Sequence, residues 1–391
     1  MSTLKVDNIR HNNATSDAIT MASDGTCTAK ITGMTGGGAL SHRNMIINGG
    51  MMVSQRGSSA AITGGSNTVP VIDRYMAVAN SSMTYNVTIS QETDNPDGLG
   101  KSFKSLTTSA KTPSGSENYI IRTKLEEQDI TRIGFGTSGC KKTTLTFYVK
   151  SNKIGTYSLM VAINSFDINF LTSYTINAQN TWEKKTISIP EYTTSYTHLP
   201  DNGSGLTIDW HLSSGPDDIV SAHSWQTSAT NARAVTGQVN ILDAVNNYWQ
   251  LANVQYEVGE VSTQFEHRYY ADELARCQRY CVVYGGSGAR HLGTASAYNS
   301  TNLNLSIHLP VPMRTSPSAS TVTTGGNWLQ SYVGASGYNS NASISIADMD
   351  QDHHSIRVYL QNAHSGLSAG QALWIHTLPN AKLILSSEFS F

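Results

Sequence analysis

Residues 253–280 have the sequence NVQYEVGEVSTQFEHRYYADELARCQRY, and this stretch shows where the chain divides. Val254, Tyr256 and Val258 alternate with other side chains, a pattern that predicts a β-strand with one buried face. Gly259 follows and predicts a tight turn, because glycine adopts backbone angles that other residues avoid. The stretch therefore predicts the last strand of one β domain and the connection to another.

The second half of the stretch predicts a short connecting helix. The segment 263–268 is predicted to be extended and to lead into this helix. Asp272 and Glu273 lie in its first turn, and Arg276 and Arg279 lie near its end. These positions match the charges that a helix dipole favours at each end.

Upstream, residues 44–267 show the period-two alternation of an antiparallel β-sandwich. Leu145, Phe147 and Val149 alternate with polar or amphipathic side chains, which predicts one buried and one solvated face. The pattern resumes after a short polar turn, so 143–163 is predicted to be a hairpin. Further predicted strands carry Leu206, Ile208, Trp210 and Leu212, then Val239 and Ile241, and finally residues 248–258.

Downstream, residues 281–391 continue the β pattern. The polar segment 325–342 is predicted to be a long loop that carries Trp328, Tyr332 and Tyr338. The predicted strands carry the apolar residues Leu303, Leu305, Ile307, Leu309 and Val311, then Ile344 and Ile346, Ile356, Val358 and Leu360, Leu373 and Ile375, and Leu383 and Leu385.

Residues 1–43 predict an extended arm with short strands rather than a domain. Its apolar side chains, among them Leu4, Val6 and Ile9, are too few to bury a core of their own. We expect the arm to be ordered by packing against copies of itself or against a larger particle. A floppy tail is the alternative, but the turn residues Asp24 and Gly25 favour the arm.

These patterns predict an all-β protein. Its organisation is an N-terminal arm at 1–43, an antiparallel jelly-roll sandwich at 44–267, a linker with a short helix at 268–280, and a C-terminal β-sandwich at 281–391.

Composition narrows the classes of function. Only 14% of the residues are charged, against about 25% in an average soluble protein. A net charge of −2 without a basic stripe does not favour binding to nucleic acid. The sequence also predicts no signal peptide and no membrane insertion. Its four cysteines do not have the density of a disulfide framework, which predicts assembly in a reducing cytoplasm.

Three segments resemble bacteriophage tail-fibre and tail-tip proteins. The run 254–280 resembles the junction "QLEVG…TPFEHRS…ELARCQRY" that ends a jelly-roll module in these proteins. Residues 43–56, RNMIINGGMMVSQR, resemble the opening of the same module, "RNLIINGDM…QRG". Residues 1–9, MSTLKVDNI, resemble the N-termini of fibre-like structural proteins in phages of marine bacteria. Residues 281–391 resemble no known family.

The resemblance implies a structural protein of the virion tail, assembled as a homotrimer in the host cytoplasm. The arm, through Leu4, Val6 and Ile9, would attach the protein to other tail or virion proteins. The jelly roll would act as a spacer, and the C-terminal domain would bind polysaccharide or lipopolysaccharide on the host surface. The jelly-roll family also includes carbohydrate-binding modules. No cofactor is implied.

Aromatic residues beside polar loops are the candidate glycan contacts, because sugars pack their C–H faces on aromatic rings. Trp328 has the alternative of beginning a strand in the core, and Trp374 is equally compatible with core and surface. The candidates in the C-terminal domain are Tyr298, Trp328, Tyr332, Tyr338 and Tyr359.

Acidic residues offer a weaker hypothesis of catalysis or metal binding. Asp348, Asp350 and Asp352 have the spacing of a carboxylate pair on one strand face, as a glycosidase would require. The same spacing with His353 is a candidate Ca²⁺ or other metal site, although an EF-hand is excluded. Acids in a polar turn are the more common explanation, so we expect no enzyme activity.

Two other functions compete with adsorption to the host. A capsid decoration or tail nozzle and adaptor protein would bind only virion proteins, and a polysaccharide depolymerase would cleave the surface glycan. A distal domain that projects into solvent favours receptor binding, whereas one buried among neighbours favours assembly.

Overall fold

A computed structural model describes most of the chain. The described residues are 6–23, 27–29, 42–63, 71–80, 83–163, 166–196, 199–220, 224–227, 233–350 and 352–389. Nearly all of the regular structure among them is antiparallel β, which confirms the predicted all-β class. No helix in these ranges is both long enough and apolar enough to cross a membrane.

The N-terminal arm contains a small antiparallel sheet of three strands in sequential order. The strands are Asn8–Ile9 (β1), Ile19–Met21 (β2) and Cys27–Ala29 (β3). Of the predicted attachment residues, Val6 is half-buried, Ile9 is 48% exposed and Leu4 lies outside the described residues.

The middle domain is a sandwich of two six-stranded sheets around one core. Its elements are Ser59–Thr63 (β4), Met76–Asn80 (β5), Asn86–Glu92 (β6), Ser102–Ser109 (β7), Asn118–Glu126 (β8), Glu127–Ile130 (α1), Thr143–Ser151 (β9), Gly155–Ile163 (β10), Ile168–Ile176 (β11), Glu183–Ile189 (β12), Ser204–Ser214 (β13), Ile219–Val220 (β14), Trp225–Thr227 (β15), Ala234–Val235 (β16) and Tyr248–Val258 (β17).

The two sheets have the strand orders β15-β11-β10-β13-β8-β5 and β12-β9-β17-β7-β6-β4. Their facing side chains form the core, in which Phe147 of β9 meets Trp210 of β13 edge-on at 5.7 Å between ring centroids. The short parallel pair β14 and β16 lies apart from both sheets in the hydrogen-bond pattern. Each predicted strand at 206–212 and 248–258 is present, as β13 and β17.

The predicted hairpin at 143–163 is wrong. Its two strands exist, but β9 pairs with β12 and β17 whereas β10 pairs with β11 and β13. Residues 152–154 therefore carry the chain from one sheet to the other across the core. The alternation correctly predicted that Phe147 and Tyr157 face the core. It contains no information on which strand pairs with which.

The strand predicted around Val239 and Ile241 is also wrong, because Ile241–Asp243 forms a 3₁₀ turn. The side chain of Asn240 accepts a hydrogen bond from the backbone N–H of Leu242 at 2.9 Å. Such a local side-chain bond replaces the partner that a strand ladder would have supplied.

The C-terminal domain is a second sandwich, of a three-stranded and a seven-stranded sheet with the orders β18-β27-β21 and β23-β22-β26-β19-β20-β25-β24. Its strands are Cys281–Gly285 (β18), Arg290–Ala297 (β19), Leu303–His308 (β20), Ser318–Val322 (β21), Leu329–Val333 (β22), Ser336–Ser340 (β23), Ser343–Met349 (β24), Ser355–Gln361 (β25), Ala372–Thr377 (β26) and Lys382–Ser386 (β27).

The long loop predicted at 325–342 is wrong, because most of it is the hairpin of β22 and β23. Val333 pairs with Ser336, which leaves a loop of two residues that begins with Gly334. Gly334 has a φ of 57°, the left-handed conformation that such tight hairpin turns require. The sequence analysis missed this hairpin because the segment 325–342 is rich in polar residues.

The helix Tyr270–Gln278 (α2) connects the two sandwiches, as predicted. Directly after it, Arg279 donates two hydrogen bonds of 2.7 Å to the carboxylate of Glu126 at the end of β8. The hydroxyl of Tyr280 donates a third to the same carboxylate. Near the chain end, Glu388 pairs with Arg74 of the middle domain. These contacts fasten the C-terminal domain to the jelly roll.

Replacing Glu126 by Gln is expected to destabilise this junction by about 2 kcal/mol at neutral pH, because four hydrogen bonds, two from Arg279 and one each from Tyr280 and Gln128, lose their charged acceptor. Burial raises the pKa of Glu126, but the bonds from Arg279 and Tyr280 outweigh it and lower the pKa overall. A depressed carboxylate pKa stabilises the fold above the unfolded value of about 4.3 and loses that effect as pH falls through the folded value.

Chemical unfolding of both proteins at pH 7 and at about pH 3 measures this effect. The difference between wild type and variant should be large at neutral pH and shrink in acid. Glu260→Gln is the matched control, because Glu260 pairs with Lys142 at the solvent-exposed surface. Equal losses in the two variants would show that the junction does not depend on Glu126.

Candidate functional site

An exposed tryptophan lies on the outer face of the seven-stranded sheet. Trp374 of β26 is 63% exposed, whereas its neighbours Leu373 and Ile375 are buried in the core. Because successive residues of a strand point to opposite faces, burying these two neighbours turns the indole towards solvent. Exposure of so large an apolar ring makes this face the candidate binding surface of the domain.

The rows beside Trp374 are aromatic and polar. Tyr332 of β22 and Thr294 of β19 are its direct cross-strand partners. The hydroxyl of Tyr332 donates to the side-chain oxygen of Gln330 at 2.6 Å, which fixes the ring on the same face. The next row contains His376 and His291, whose ring centroids are 5.2 Å apart.

A second aromatic pair lies on the same face of the sheet, towards its opposite edge. Tyr298 and Tyr359 meet edge-on at 5.6 Å between centroids, and Asn302 donates to the Tyr359 hydroxyl at 2.8 Å. Three strand intervals separate β26 from β25, which corresponds to about 14 Å. The strip between the two aromatic groups is polar.

We name this surface the outer face. Its described strand residues are mostly amides, hydroxyls, aromatic rings and imidazoles, and among them an ion pair joins Arg357 to Asp348 at 2.6 Å. Its members on the strands are Gln330, Tyr332, Trp374, His376, His291, Thr294, Ser296, Asn304, Ser306, His308, Arg357 and Tyr359. Groups of this kind can contact the C–H faces and the hydroxyls of a sugar.

The prediction that Trp328 contacts glycan is wrong. Its side chain is 0% exposed, and its indole N–H donates to the carbonyl of Ala342 at 2.8 Å. It precedes β22 and packs in the C-terminal core. Its polar flanks predicted a surface position, but the side chain fills the space between the two sheets.

Tyr338 is exposed but does not belong to the outer face. Its strand neighbour Gly337 pairs with Tyr332, so alternation turns Tyr338 to the opposite side. There its ring lies 4.9 Å from that of His364. The structure thus brings Tyr332, Tyr359 and Tyr298 to the candidate site and leaves Tyr338 out.

The acidic candidates have local structural roles. Asp348 pairs with Arg357, and His353 contacts the carbonyl of Met313 through Nδ1 at 2.8 Å. Asp350 accepts from the backbone N–H groups of Ser355 and His354, and these bonds lower its pKa.

The proposed metal site is not assembled. Asp352 is exposed near the turn, and no group of three potential ligand side chains occurs within the described ranges. Asp218 of the middle domain is buried and accepts a hydrogen bond from Asn118, while burial raises its pKa.

The middle domain has a smaller polar and aromatic cluster on its second sheet. The indole of Trp182 donates to Asp94 at 3.1 Å, and Lys150 donates to the same carboxylate at 2.7 Å. Tyr248 donates to the side chain of Asn180 at 2.6 Å. We name these residues the Trp182 cluster; their polar atoms largely satisfy each other.

Two open clefts of about 670 and 560 Å³ flank α2. Arg268 and Arg276 line both clefts, together with acidic side chains such as Asp272 in one and Asp129 in the other. Tyr269 on the rim is 85% exposed. The mixed charges do not define a ligand, and the clefts are distant in sequence from β26.

No family model and no curated protein matches the sequence. Among solved structures, the bacteriophage CBA120 tailspike protein 4 enzymatically active domain is 12% identical, with a TM-score of 0.30; the match covers 55% of this chain and 21% of that one. A module described as CBM4 is 11% identical, with a TM-score of 0.26, over 54% of this chain and 98% of that one.

A family 11 carbohydrate-binding module from Clostridium thermocellum, in complex with a β-1,3-1,4-mixed-linked tetrasaccharide, is 10% identical. Its TM-score is 0.27, over 53% of this chain and 98% of that one. This chain therefore spans about a fifth of the tailspike domain's length and nearly all of the two modules. Similarities this weak carry no functional argument.

Proposed function

We propose that this protein is a structural component of a bacteriophage tail that binds host-surface glycan without cleaving it. The exposed Trp374, set among polar side chains on the outer face, is the observation that carries the proposal. The arm would attach the protein to the virion, and the jelly roll would hold the C-terminal domain away from it. The sequence motifs at both ends of the jelly roll support the phage assignment.

The chemistry of the outer face suits neutral and polar parts of a sugar chain. Trp374 and Tyr332 offer ring surfaces to C–H groups, while Thr294, Ser296 and Asn304 offer hydrogen bonds to hydroxyls. A flat, open face makes few contacts with each sugar, so each site binds weakly. Several copies at fixed spacing would make later contacts intramolecular and raise the overall affinity.

The arrangement of acids supports binding rather than hydrolysis. A glycosidase holds two carboxyl groups about 5–10 Å apart across the scissile bond. In the described part of the outer face, Asp348 is engaged with Arg357, and Asp350 holds its turn through backbone bonds. Neither arrangement leaves a carboxyl free to protonate a leaving group.

Binding and cleavage are separated by one assay with the full chain. Purified protein is incubated with immobilised bacterial surface polysaccharides, and both retention and released reducing ends are measured. We expect retention without release, and the same retention for the Asp350→Asn variant. Reducing ends that appear with wild type and disappear with Asp350→Asn would overturn the non-catalytic proposal in favour of a depolymerase.

A role confined to virion assembly is the second candidate, favoured by the exposed Tyr269 and Tyr270 beside the clefts at α2. Exposed tyrosines are common anchors of protein interfaces. Immunogold labelling with antibodies against the C-terminal domain distinguishes the two functions. Labelling at the tail of intact particles supports host binding, whereas an epitope that is accessible only after disruption supports assembly.

A further inference from the structure

We propose that the outer face takes an acidic sugar and seats its carboxylate at the imidazoles of His291 and His376. This inference rests on the proposed function and specifies the chemical class of the glycan. The neighbouring rings of Trp374 and Tyr332 would hold the body of the same sugar or of the next one.

Geometry places the two imidazoles where an anion can reach both. His291 of β19 and His376 of β26 are direct cross-strand partners, and their rings are perpendicular with centroids 5.2 Å apart. His291 is exposed and His376 half-buried. Tyr332 continues the row, with its ring 5.3 Å from that of His376. Within the described ranges, neither imidazole has a hydrogen bond to the protein, so their N–H groups are available to a ligand.

Charge on this part of the outer face also favours an anion. The groups that face His376 are Trp374 on its own strand, Gln330 and Tyr332 on β22, and His291 on β19. None of them is acidic. Farther along the same face, β20 contributes a third imidazole, His308, and the Asp348 carboxylate on β24 is neutralised by Arg357.

Binding of an acidic sugar to the two histidines should depend on pH. Burial and then the neighbouring charge of His291 lower the pKa of His376, so His376 resists protonation when no ligand is bound. A carboxylate that accepts hydrogen bonds from both rings favours the charged form of His376 and raises its pKa. By reciprocity, affinity for the acidic sugar should rise as pH falls through the histidine range near 6.5, whereas affinity for a neutral sugar should not.

The test compares acidic polysaccharides with their uncharged counterparts. Polygalacturonate, alginate and hyaluronate, each beside its methyl-esterified form, are immobilised and titrated with full-length protein at about pH 8 and pH 5.5. We expect at least one acidic polymer to bind about tenfold more tightly at the lower pH, as charge-assisted hydrogen bonds form. Its ester should show little change.

Three variants locate the effect. His291→Gln combined with His376→Gln should remove the preference for acid over ester and leave binding to the ester intact. Trp374→Ala should weaken both forms. His364→Gln changes a half-buried histidine beside Tyr338 on the opposite face of the sheet, and it should change neither.

The outcomes separate this inference from the proposed function. Equal binding of acid and ester, with both lost in Trp374→Ala, would overturn the acidic-sugar inference alone. Failure of every polymer to bind would count against both. Binding that EDTA abolishes would assign the histidine pair to a metal ion and also overturn the inference.

A direct readout at the site uses the NMR titration of the histidine ring protons. D-glucuronate is the probe, and its methyl ester is the matched neutral control. We expect glucuronate to raise the apparent pKa of His376 and the ester to leave it unchanged. An unchanged pKa at saturating glucuronate would contradict the seat at these two rings.

Discussion

Replacing Trp374 by alanine is expected to weaken binding to surface polysaccharide at least about thirtyfold, which corresponds to about 2 kcal/mol. The indole is the largest exposed ring on the outer face, and its loss removes the flat surface on which a sugar would pack. Because the side chain is exposed, the fold should be almost unaffected, within about 0.5 kcal/mol. Equilibrium binding of the full chain, together with thermal unfolding, measures both effects.

Two matched substitutions make this result specific. Tyr338→Ala removes another exposed ring of the same domain, but from the opposite side of the sheet. Trp182→Ala removes the indole of the Trp182 cluster in the jelly roll. Both should bind as wild type does. Loss of binding in Trp182→Ala with retention in Trp374→Ala would place recognition in the jelly roll instead.

Replacing Arg122 by alanine is expected to destabilise the jelly roll by about 3–5 kcal/mol, because it leaves a buried carboxylate without its partner. Arg122 of β8 donates two hydrogen bonds of 2.7 Å to Asp209 of β13, and both side chains are buried. The guanidinium also lies 4.5 Å from the ring centroid of Phe166. Chemical unfolding monitored by tryptophan fluorescence measures the loss.

The double variant Arg122→Met, Asp209→Leu controls for packing. It removes both charges and replaces them with apolar groups, so its cost should be much smaller than that of Arg122→Ala. If Arg122→Ala changes the free energy of unfolding by less than about 1 kcal/mol, the Arg122–Asp209 pair is solvated and is not buried between β8 and β13 as described.

The strands were predictable because period-two alternation reports local burial. β13 and β17 have the predicted residues turned into the core, including Trp210 and Tyr256. The pairing of β9 and β10 was not predictable, because side-chain alternation is the same whichever strand lies beside it. Only the three-dimensional structure shows that residues 152–154 cross between sheets.

The sequence also did not predict that the second face of β13 is buried. Asp209 and His211 alternate with the core residues and therefore predict a solvated face, yet both are fully buried. A secondary apolar layer that includes Met160, Leu171 and Val235 covers part of this face of the sheet. Long-range packing of this kind leaves no periodic signal in the local sequence.

The sequence predicted that the candidate site consists of aromatic and polar residues, but it identified only some of those residues. Tyr332 and Tyr359 lie on the outer face, whereas Trp328 is buried and Tyr338 points away. The signal for Trp374 was present, since Leu373 and Ile375 on either side are core residues. Two flanking core residues place the residue between them on the opposite face of the sheet, which at Trp374 is open to solvent. The histidine pair depends on strand register, which the sequence did not reveal.

The most direct test of the account follows each indole during binding. The protein has six tryptophans, so labelling with 5-fluorotryptophan gives separate ¹⁹F NMR signals that can be assigned by Trp→Phe variants. Addition of a polysaccharide retained in the binding assay should shift or broaden the Trp374 signal and leave those of the buried Trp210 and Trp328 in place. An unchanged Trp374 signal with a perturbed Trp182 signal at saturation would contradict recognition at the outer face.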